Sequence, residues 1–241
     1  YIYTESHTPN EPLCQPMYWS YPSREQAYQY PNQYTFGGSL VVAPIVKPRD
    51  RRTGLGHVKV WVPPGRHVDM FTGIVYNGDR ELDMYRPLEC LPVLAPEGAI
   101  VPLDGVEVPA NGCKNPESLE VVVIVGCDGQ YTLLEDDRDD VPMHDGEGQR
   151  VFFLSWTQSS GRLTVTTPVS RQWTFRFASI SEMPETAQVN INGSLVPKAE
   201  IKVQKCLGLP GLVFHLPEIQ AGSSISIELG PNPQLSVFNH S

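Results

Sequence analysis

The amino-acid sequence predicts a mainly β protein built from two sandwich modules, and three observations carry this prediction. The chain has 241 residues, 40% of them hydrophobic, so it can bury a core, and its length fits two modules of about 100 residues each. Proline occurs 23 times, roughly double its usual share, which opposes helices and marks turns and strand ends. Short apolar or alternating segments recur with turn residues between them, as in antiparallel β-sandwiches.

Helices are predicted only within the first 30 residues. Residues 1–7 are predicted to be the last turns of a helix, which the segment 10–12 breaks with its proline. Residues 13–19 are short, apolar and aromatic, and they predict a buried strand. Residues 23–28 predict one or two helical turns that Ser23 begins and Pro31 stops.

From residue 36 onward the pattern is that of strands. Continuous apolar runs predict strands buried on both faces, and alternating runs predict half-buried strands. The predicted strands are residues 39–45, 58–62, 71–76, 119–125, 129–134, 151–156, 163–167, 173–177, 188–191 and 224–229. Residues 91–101 are apolar but interrupted by proline and glycine, and residues 103–118 hold enough turn residues to predict a linker.

The charge and the apolar runs exclude two classes of partner. The net charge is −9, and no basic face is visible of the kind that nucleic acid requires, so a nucleic-acid partner is not predicted. The longest apolar runs, such as 121–125, fall far short of the roughly 20 residues that cross a bilayer, so no membrane partner is predicted either. The chain opens on polar and aromatic residues without an initiator methionine, and we expect it to be cut from a longer polypeptide.

Cysteine and glycosylation motifs leave the compartment open. Five widely spaced cysteines form no CxxC pair, and Cys90 with Cys113 is predicted either as a disulfide or as two unpaired core thiols. Sequons at Asn192 and Asn239 would carry glycans only in a secreted protein, which they weakly favour.

Four sequence stretches, taken together in this order and spacing, resemble one family. They are QPMYWSYP (15–22) with PNQYTFG (31–37), LVVAPI (40–45), VKVWVPPG (58–65) with DMFTG (69–73), and LPVLAPEGAIVP (91–102). They resemble the C-terminal third of glycoside hydrolase family 31, the α-glucosidase-like enzymes. The later LLEDD (133–137) resembles the acidic turn early in that family's last domain.

The resemblance implies a domain organisation and an activity. Residues 1–45 would be the last segment of a (β/α)8 catalytic barrel, 46–117 a proximal β-sandwich and 118–241 a distal β-sandwich. The family's enzymes are retaining hydrolases of α-linked glucosides whose two catalytic aspartates stand about 5 Å apart across the scissile bond. In the family both lie on barrel strands before this segment, so no catalytic residue is expected here and the missing barrel is an expected partner.

Two positions depart from the family's pattern. Gln15 stands where many members have arginine, and His67 stands where many have tryptophan. We predict that Gln15 hydrogen-bonds a neighbouring barrel strand.

Trp19 and Tyr21 are the predicted substrate-proximal residues. If residues 13–19 form the last barrel strand, these side chains follow its C-terminal end, where barrel active sites lie. The alternative, which the aromatic pattern favours, is that Tyr18, Trp19 and Tyr21 pack the barrel against the proximal sandwich. Trp173 alternates with Phe175 and Phe177 and is predicted to be core rather than a sugar platform.

No metal or cofactor is predicted. The acidic run 135–140 lacks the spacing of a calcium loop and is predicted to be solvated. The histidines show no metal-ligand spacing, and no Gly-x-Ser-x-Gly nucleophile elbow occurs.

Two functions therefore stand at this point. One is the C-terminal part of an α-glucosidase-like hydrolase, supporting the barrel. The alternative is a non-catalytic β-sandwich that binds carbohydrate, and a purely structural interaction domain is a third, weaker interpretation.

Overall fold

A computed structural model describes residues 1–7, 11–106, 115–136, 149–197, 201–204 and 210–236. The described helices are short: α1 (Ile2–Ser6), α2 (Met17–Ser20) and α3 (Gln26–Gln29). The described strands are β1 (Cys14–Pro16), β2 (Tyr34–Phe36), β3 (Leu40–Val42), β4 (Gly56–Val62), β5 (Arg66–Asp69), β6 (Val75–Asn77), β7 (Arg80–Arg86), β8 (Val93–Pro96), β9 (Ile100–Asp104), β10 (Ser118–Val123), β11 (Gly129–Asp136), β12 (Gln149–Thr157), β13 (Arg162–Thr167), β14 (Arg171–Ala178), β15 (Gln188–Ile191), β16 (Ser194–Val196), β17 (Ile201–Gln204), β18 (Gly211–Ile219) and β19 (Ser223–Glu228). In this part of the chain no helix is long and apolar enough to span a bilayer.

The first half of the chain forms a six-stranded sheet and a two-stranded ribbon. The sheet has the order β1-β2-β3-β8-β5-β6, and the ribbon pairs β4 with β7. Strand β3 is buried at every residue, as its continuous apolar run predicts. Trp61 on β4 is fully buried, and it packs in one core cluster with Met17 and Leu94.

The second half forms a sandwich of two larger sheets. One has the order β17-β18-β14-β10-β9, and the other has the order β11-β12-β13-β19-β15-β16. The prediction that Trp173, Phe175 and Phe177 are core is confirmed, because all three are fully buried. Phe152 meets Trp173 edge to face at 5.9 Å between ring centroids, so aromatic rings from both sheets fill the interior.

The expected barrel segment is not present, which corrects the fold prediction. A barrel strand has parallel neighbours and is followed by a helix on the barrel's outer face. Here β1 pairs antiparallel with β2, and β2 pairs antiparallel with β3. The strand prediction for residues 13–19 was also too long, since β1 ends at Pro16 and α2 begins at Met17. A proline at the N-terminal boundary of a helix is favourable, because its missing N–H has no intrahelical acceptor there.

The sandwiches are not purely antiparallel. Strands β10 and β14 pair in parallel over six residue pairs, from Ser118 with Gln172 to Val123 with Phe177. Parallel neighbours need a long crossover connection. Here β11, β12 and β13 supply it in the opposite sheet, which returns the chain to the same end of the sandwich.

Most predicted strands are confirmed, and the turns between them behave as expected. The hairpin β15–β16 turns at Asn192 and Gly193, which both have positive φ, as a type I′ turn requires. Strand β7 was missed because its sequence, RELDMYR, is mostly charged. Strands β2, β5, β16, β17 and β18 were also missed, and of the strand predicted at residues 71–76 only the end belongs to a strand, β6.

The predicted module boundaries are crossed by hydrogen bonds. The six-stranded first sheet joins strands from both sides of residue 45. Strand β9 pairs with β10 across residue 117. The division into residues 1–45, 46–117 and 118–241 stays a prediction.

Helix α1 ties the two halves together, and its presence confirms the helix predicted at residues 1–7. The Thr4 hydroxyl accepts a hydrogen bond from the Leu134 backbone N–H at 2.9 Å, and the Tyr1 hydroxyl donates to the Phe36 carbonyl at 3.2 Å. The ring of Tyr1 also stacks on Tyr131 at 5.7 Å between centroids. A five-residue helix is marginal by itself, so these tertiary contacts hold it.

Candidate functional site

Three exposed aromatic side chains lie on the short helices α2 and α3, and we call Tyr18, Trp19 and Tyr28 the aromatic surface. The rings of Tyr18 and Tyr28 are stacked, with centroids 5.3 Å apart and planes 10° from parallel. The Tyr28 hydroxyl donates to the Pro22 carbonyl at 3.0 Å, which anchors α3 to the segment after α2. The Trp19 side chain is 58% exposed. The turn after β1 therefore presents flat apolar rings outward.

Tyr21, the second predicted substrate-proximal residue, faces the interior instead. Its ring meets Trp61 edge to face, with centroids 5.3 Å apart. Burial raises the pKa of the Tyr21 phenol above its ordinary value. Tyr21 therefore packs on the two-stranded ribbon, whereas the Trp19 side chain is exposed to solvent.

The two residues that depart from the family's pattern are both buried. Gln15 is 6% exposed, and its backbone carbonyl accepts a hydrogen bond from the Thr35 hydroxyl at 3.2 Å. His67 lies within β5 and is 2% exposed. Burial lowers the pKa of His67 below its ordinary value, while the Gly65 carbonyl and the charge of Glu97 oppose that shift. Neither side chain is placed to contact a ligand from solvent.

The acidic run was predicted to be solvated, but its first residue, Glu135, is buried on β11, which corrects the prediction for that residue. Glu135 accepts two hydrogen bonds from the Arg171 guanidinium, and that guanidinium also lies 5.3 Å from the Phe152 ring centroid. Within the described ranges no group of three potential metal ligands is found. Residues 137–140 lie outside those ranges.

The two sequons differ in what can be said of them. The Asn192 amide nitrogen donates to the Ser223 hydroxyl at 3.2 Å, and its amide oxygen accepts from the Ser224 backbone N–H at 2.9 Å. Asn192 thus holds its hairpin against β19 in the folded chain, and its glycosylation stays a prediction. Asn239 lies outside the described residues. Cys90 is a free thiol, and its predicted partner Cys113 also lies outside them.

Sequence reasoning missed a buried polar cluster around Asp69. Asp69 is fully buried, forms an ion pair with Arg86, and accepts from the backbone N–H groups of Phe71 at 2.8 Å and Thr72 at 3.1 Å. The Arg86 guanidinium also donates to the Tyr76 hydroxyl at 3.3 Å. The available signal was the segment DMFTG, because an aspartate two and three residues before turn amides is typical of an Asx turn. Both Asp69 oxygens are paired, whereas the buried Arg86 Nε has no hydrogen-bond partner among the described residues, and Asp69 orients the loop after β5.

The sequence of this chain is similar to parts of several known proteins. A sequence profile of the Glycosyl hydrolase family 31 C-terminal domain matches residues 10–101. Alpha-glucosidase 2 of Bacillus thermoamyloliquefaciens is 24% identical over 196 residues, which are 80% of this chain and 24% of that protein. Alpha-xylosidase 1 of Arabidopsis thaliana is 22% identical over 254 residues, covering 95% of this chain and 26% of that protein.

Solved structures show the same fold. The cycloalternan-forming enzyme from Listeria monocytogenes, solved with a pentasaccharide substrate, superimposes with a TM-score of 0.70 at 22% identity, covering 94% of this chain and 21% of that one. The chain thus spans about a quarter of the length of the curated relatives it matches. Residues 10–101 belong to the C-terminal domain of glycosyl hydrolase family 31, and the two enzymes named first resemble 80% and 95% of the chain.

Proposed function

We propose that this chain is the C-terminal part of a retaining α-glycoside hydrolase that acts on α-linked glucosides, and that its own role is to support the catalytic barrel. The observation that carries the proposal is the match of residues 10–101 to the family's C-terminal domain, joined to relatives that are an α-glucosidase and an α-xylosidase. The catalytic aspartate pair is proposed to lie on the barrel, outside this chain. The partner of the chain is therefore that barrel, and its substrate is reached through it.

The aromatic surface supports a docking role. Aromatic side chains bury roughly 150–250 Å² each, and covering the exposed half of three of them would remove about 300 Å² from water. At about 25 cal/mol per Å² this is roughly 7 kcal/mol before the entropic cost of association. We propose that the catalytic barrel covers Tyr18, Trp19 and Tyr28 in the complete enzyme.

Trp19 and Tyr21 keep the proposed position near the substrate. The two residues lie on α2 and directly after it, beside the surface on which we propose that the barrel docks. Tyr21 would act by fixing α2 on Trp61, since its ring packs there. Trp19 would meet the barrel or the sugar directly, since its ring is free to do so on the exposed side.

The test is the activity of the complete polypeptide that contains residues 1–241. Its intact mass is expected to be several-fold larger than 26.8 kDa. It should hydrolyse p-nitrophenyl α-glucoside or α-xyloside with retention of anomeric configuration, followed by NMR of the first-formed sugar. Residues 1–241 alone are expected to be inactive on both. Hydrolysis by the complete polypeptide of β-glucosides only, or activity of residues 1–241 alone, would contradict the proposal.

A further inference from the structure

A second surface feature lies on the ribbon β4–β7, where a cleft of 430 Å³ opens between the ribbon and the loop 47–55. Small-molecule sites usually measure about 300–1,000 Å³, so the cleft is of a suitable size. A neighbouring cleft of 270 Å³ shares Lys47 and His57 with it and continues toward Tyr30 and Asn32. Together they form an extended groove on one side of the ribbon.

One wall of the cleft is a pair of rings held by the sheet. His57 and Tyr85 are direct cross-strand partners, and their rings stack with centroids 4.8 Å apart. The His57 Nε2 lies 2.7 Å from the Asp83 Oδ1, which fixes the imidazole under the phenol. Tyr85 is 56% exposed. The sheet therefore presents a flat, pre-organised aromatic face toward the cleft.

The opposite rim carries hydrogen-bonding groups on a loop that its own hydrogen bonds shape. The Asp50 Oδ1 accepts from the backbone N–H groups of Arg52 at 3.0 Å and Thr53 at 2.8 Å, and the Asp50 N–H donates to the Leu55 carbonyl at 2.9 Å. Arg52 and Lys47 line the cleft, and neither forms an ion pair with any described residue. Both side chains therefore offer hydrogen-bond donors at the cleft.

This combination matches the chemistry of a sugar ring. A pyranose has an apolar C–H face that stacks on an aromatic ring and equatorial hydroxyl groups that need donors and acceptors at its edge. Asp50 lines the cleft and Asp83 contacts the His57 ring of its wall, so their carboxylates disfavour a strongly anionic ligand. A neutral oligosaccharide satisfies both walls.

We infer that this groove binds a neutral α-linked oligosaccharide, with Tyr85 as the stacking platform. The choice of α-linked glucan rests on the proposed function. The site would hold a substrate chain on the C-terminal region, which raises its local concentration for the enzyme.

The experiment titrates residues 1–241 with maltoheptaose and with an isomaltose series by isothermal calorimetry, with cellohexaose as the β-linked control. Saturable binding to an α-linked series is expected, with weaker or no binding to cellohexaose. Tyr85→Ala should weaken binding by about fivefold, the loss of one stacking contact, whereas Tyr85→Phe keeps the ring and should bind nearly as well. Phe153→Ala is the matched control, since Phe153 is an equally exposed aromatic on β12.

Two further variants, Arg52→Ala and Trp19→Ala, test whether binding occurs at this groove. Arg52→Ala lies on the exposed loop and should also weaken binding, so it replaces Tyr85→Ala if that variant loses its near-ultraviolet circular dichroism. Three results would overturn the inference. They are oligosaccharide binding that survives both Tyr85→Ala and Arg52→Ala, binding that is lost with Trp19→Ala instead, and no binding to the parent chain. The hydrolysis assay tests a different claim. If the chain binds glucan but the complete enzyme does not hydrolyse α-glycosides, only the proposed function is refuted.

Discussion

Arg171 and Glu135 form a bidentate ion pair between the two sheets of the second sandwich. The Nη1–Oε1 and Nη2–Oε2 distances are 2.5 Å and 2.8 Å, and both side chains are almost fully buried. The guanidinium also lies over the Phe152 ring. Two buried charges are costly in an apolar interior unless geometry and hydrogen bonding compensate them, and here both oxygens are paired.

Removing one member of this pair is predicted to destabilise the fold strongly. Arg171→Ala leaves the Glu135 carboxylate buried without its partner and should cost about 3–5 kcal/mol of unfolding free energy in urea. The matched control is Arg162→Ala, because Arg162 pairs with Glu228 on the exposed face of β13, and it should cost under about 1 kcal/mol. Replacing both partners, as Glu135→Leu with Arg171→Met, should recover much of the loss. Equal effects of Arg171→Ala and Arg162→Ala would contradict this prediction.

Gly73 lies close to Pro210, which predicts that an alanine at Gly73 destabilises the fold more than an alanine at Gly54. Gly73 and Gly54 have nearly the same backbone conformation, with φ of 70° and 72°, so a side chain is strained at either position. A Cβ at Gly73 would stand 2.4 Å from the Pro210 ring, whereas at Gly54 it meets nothing within 4 Å. Gly73→Ala should therefore cost about 1–3 kcal/mol more than Gly54→Ala in thermal or urea unfolding. Similar losses for both would show that the loop moves away from Pro210.

Buried His67 predicts a loss of stability in mild acid. Burial lowers its pKa below the ordinary value of 6.5, so the unfolded chain binds the proton more tightly than the fold. The stability tied to neutral His67 is complete above about pH 6.5 and is lost as the pH falls through the lowered pKa. In His67→Gln, which cannot titrate, the unfolding free energy should fall less between pH 7 and pH 5 than in the parent chain. Exposed His7→Gln is the control, and identical slopes for parent and His67→Gln would refute the prediction.

The substitution Trp19→Ala is predicted to affect the stability of the complete enzyme more than that of residues 1–241. Because its ring is largely exposed, Trp19→Ala should change the unfolding free energy of residues 1–241 by less than about 0.5 kcal/mol. In the complete enzyme, where the barrel is proposed to cover the ring, the same change should lower the melting temperature by several degrees. Leu195→Ala, an exposed residue on β16, is the matched control. A rise in KM for α-glucoside without a fall in melting temperature would instead place Trp19 against the sugar.

The sequence by itself determined the mainly β class, most strands and several core residues. Alternation in residues 173–177 predicts three aromatics on one face, and all three are buried, because the period of a strand is two whatever its partners are. The turn at Asn192-Gly193 was predictable for an equally local reason, since these residues tolerate positive φ. The family resemblance of residues 15–102 agrees with the profile match to 10–101.

Only the tertiary structure decided which strands pair, in which direction, and which aromatics stay outside. The parallel pair β10–β14 depends on a crossover through the other sheet, and the sequence of neither strand encodes it. Residues 13–19 are apolar and aromatic, yet only β1 pairs as a strand and Trp19 faces outward, because local pattern cannot tell whether burial comes from this chain or from a partner. Buried ion pairs such as Asp69–Arg86 join residues that are separated in sequence. Which charge offsets which therefore becomes clear only from the folded structure.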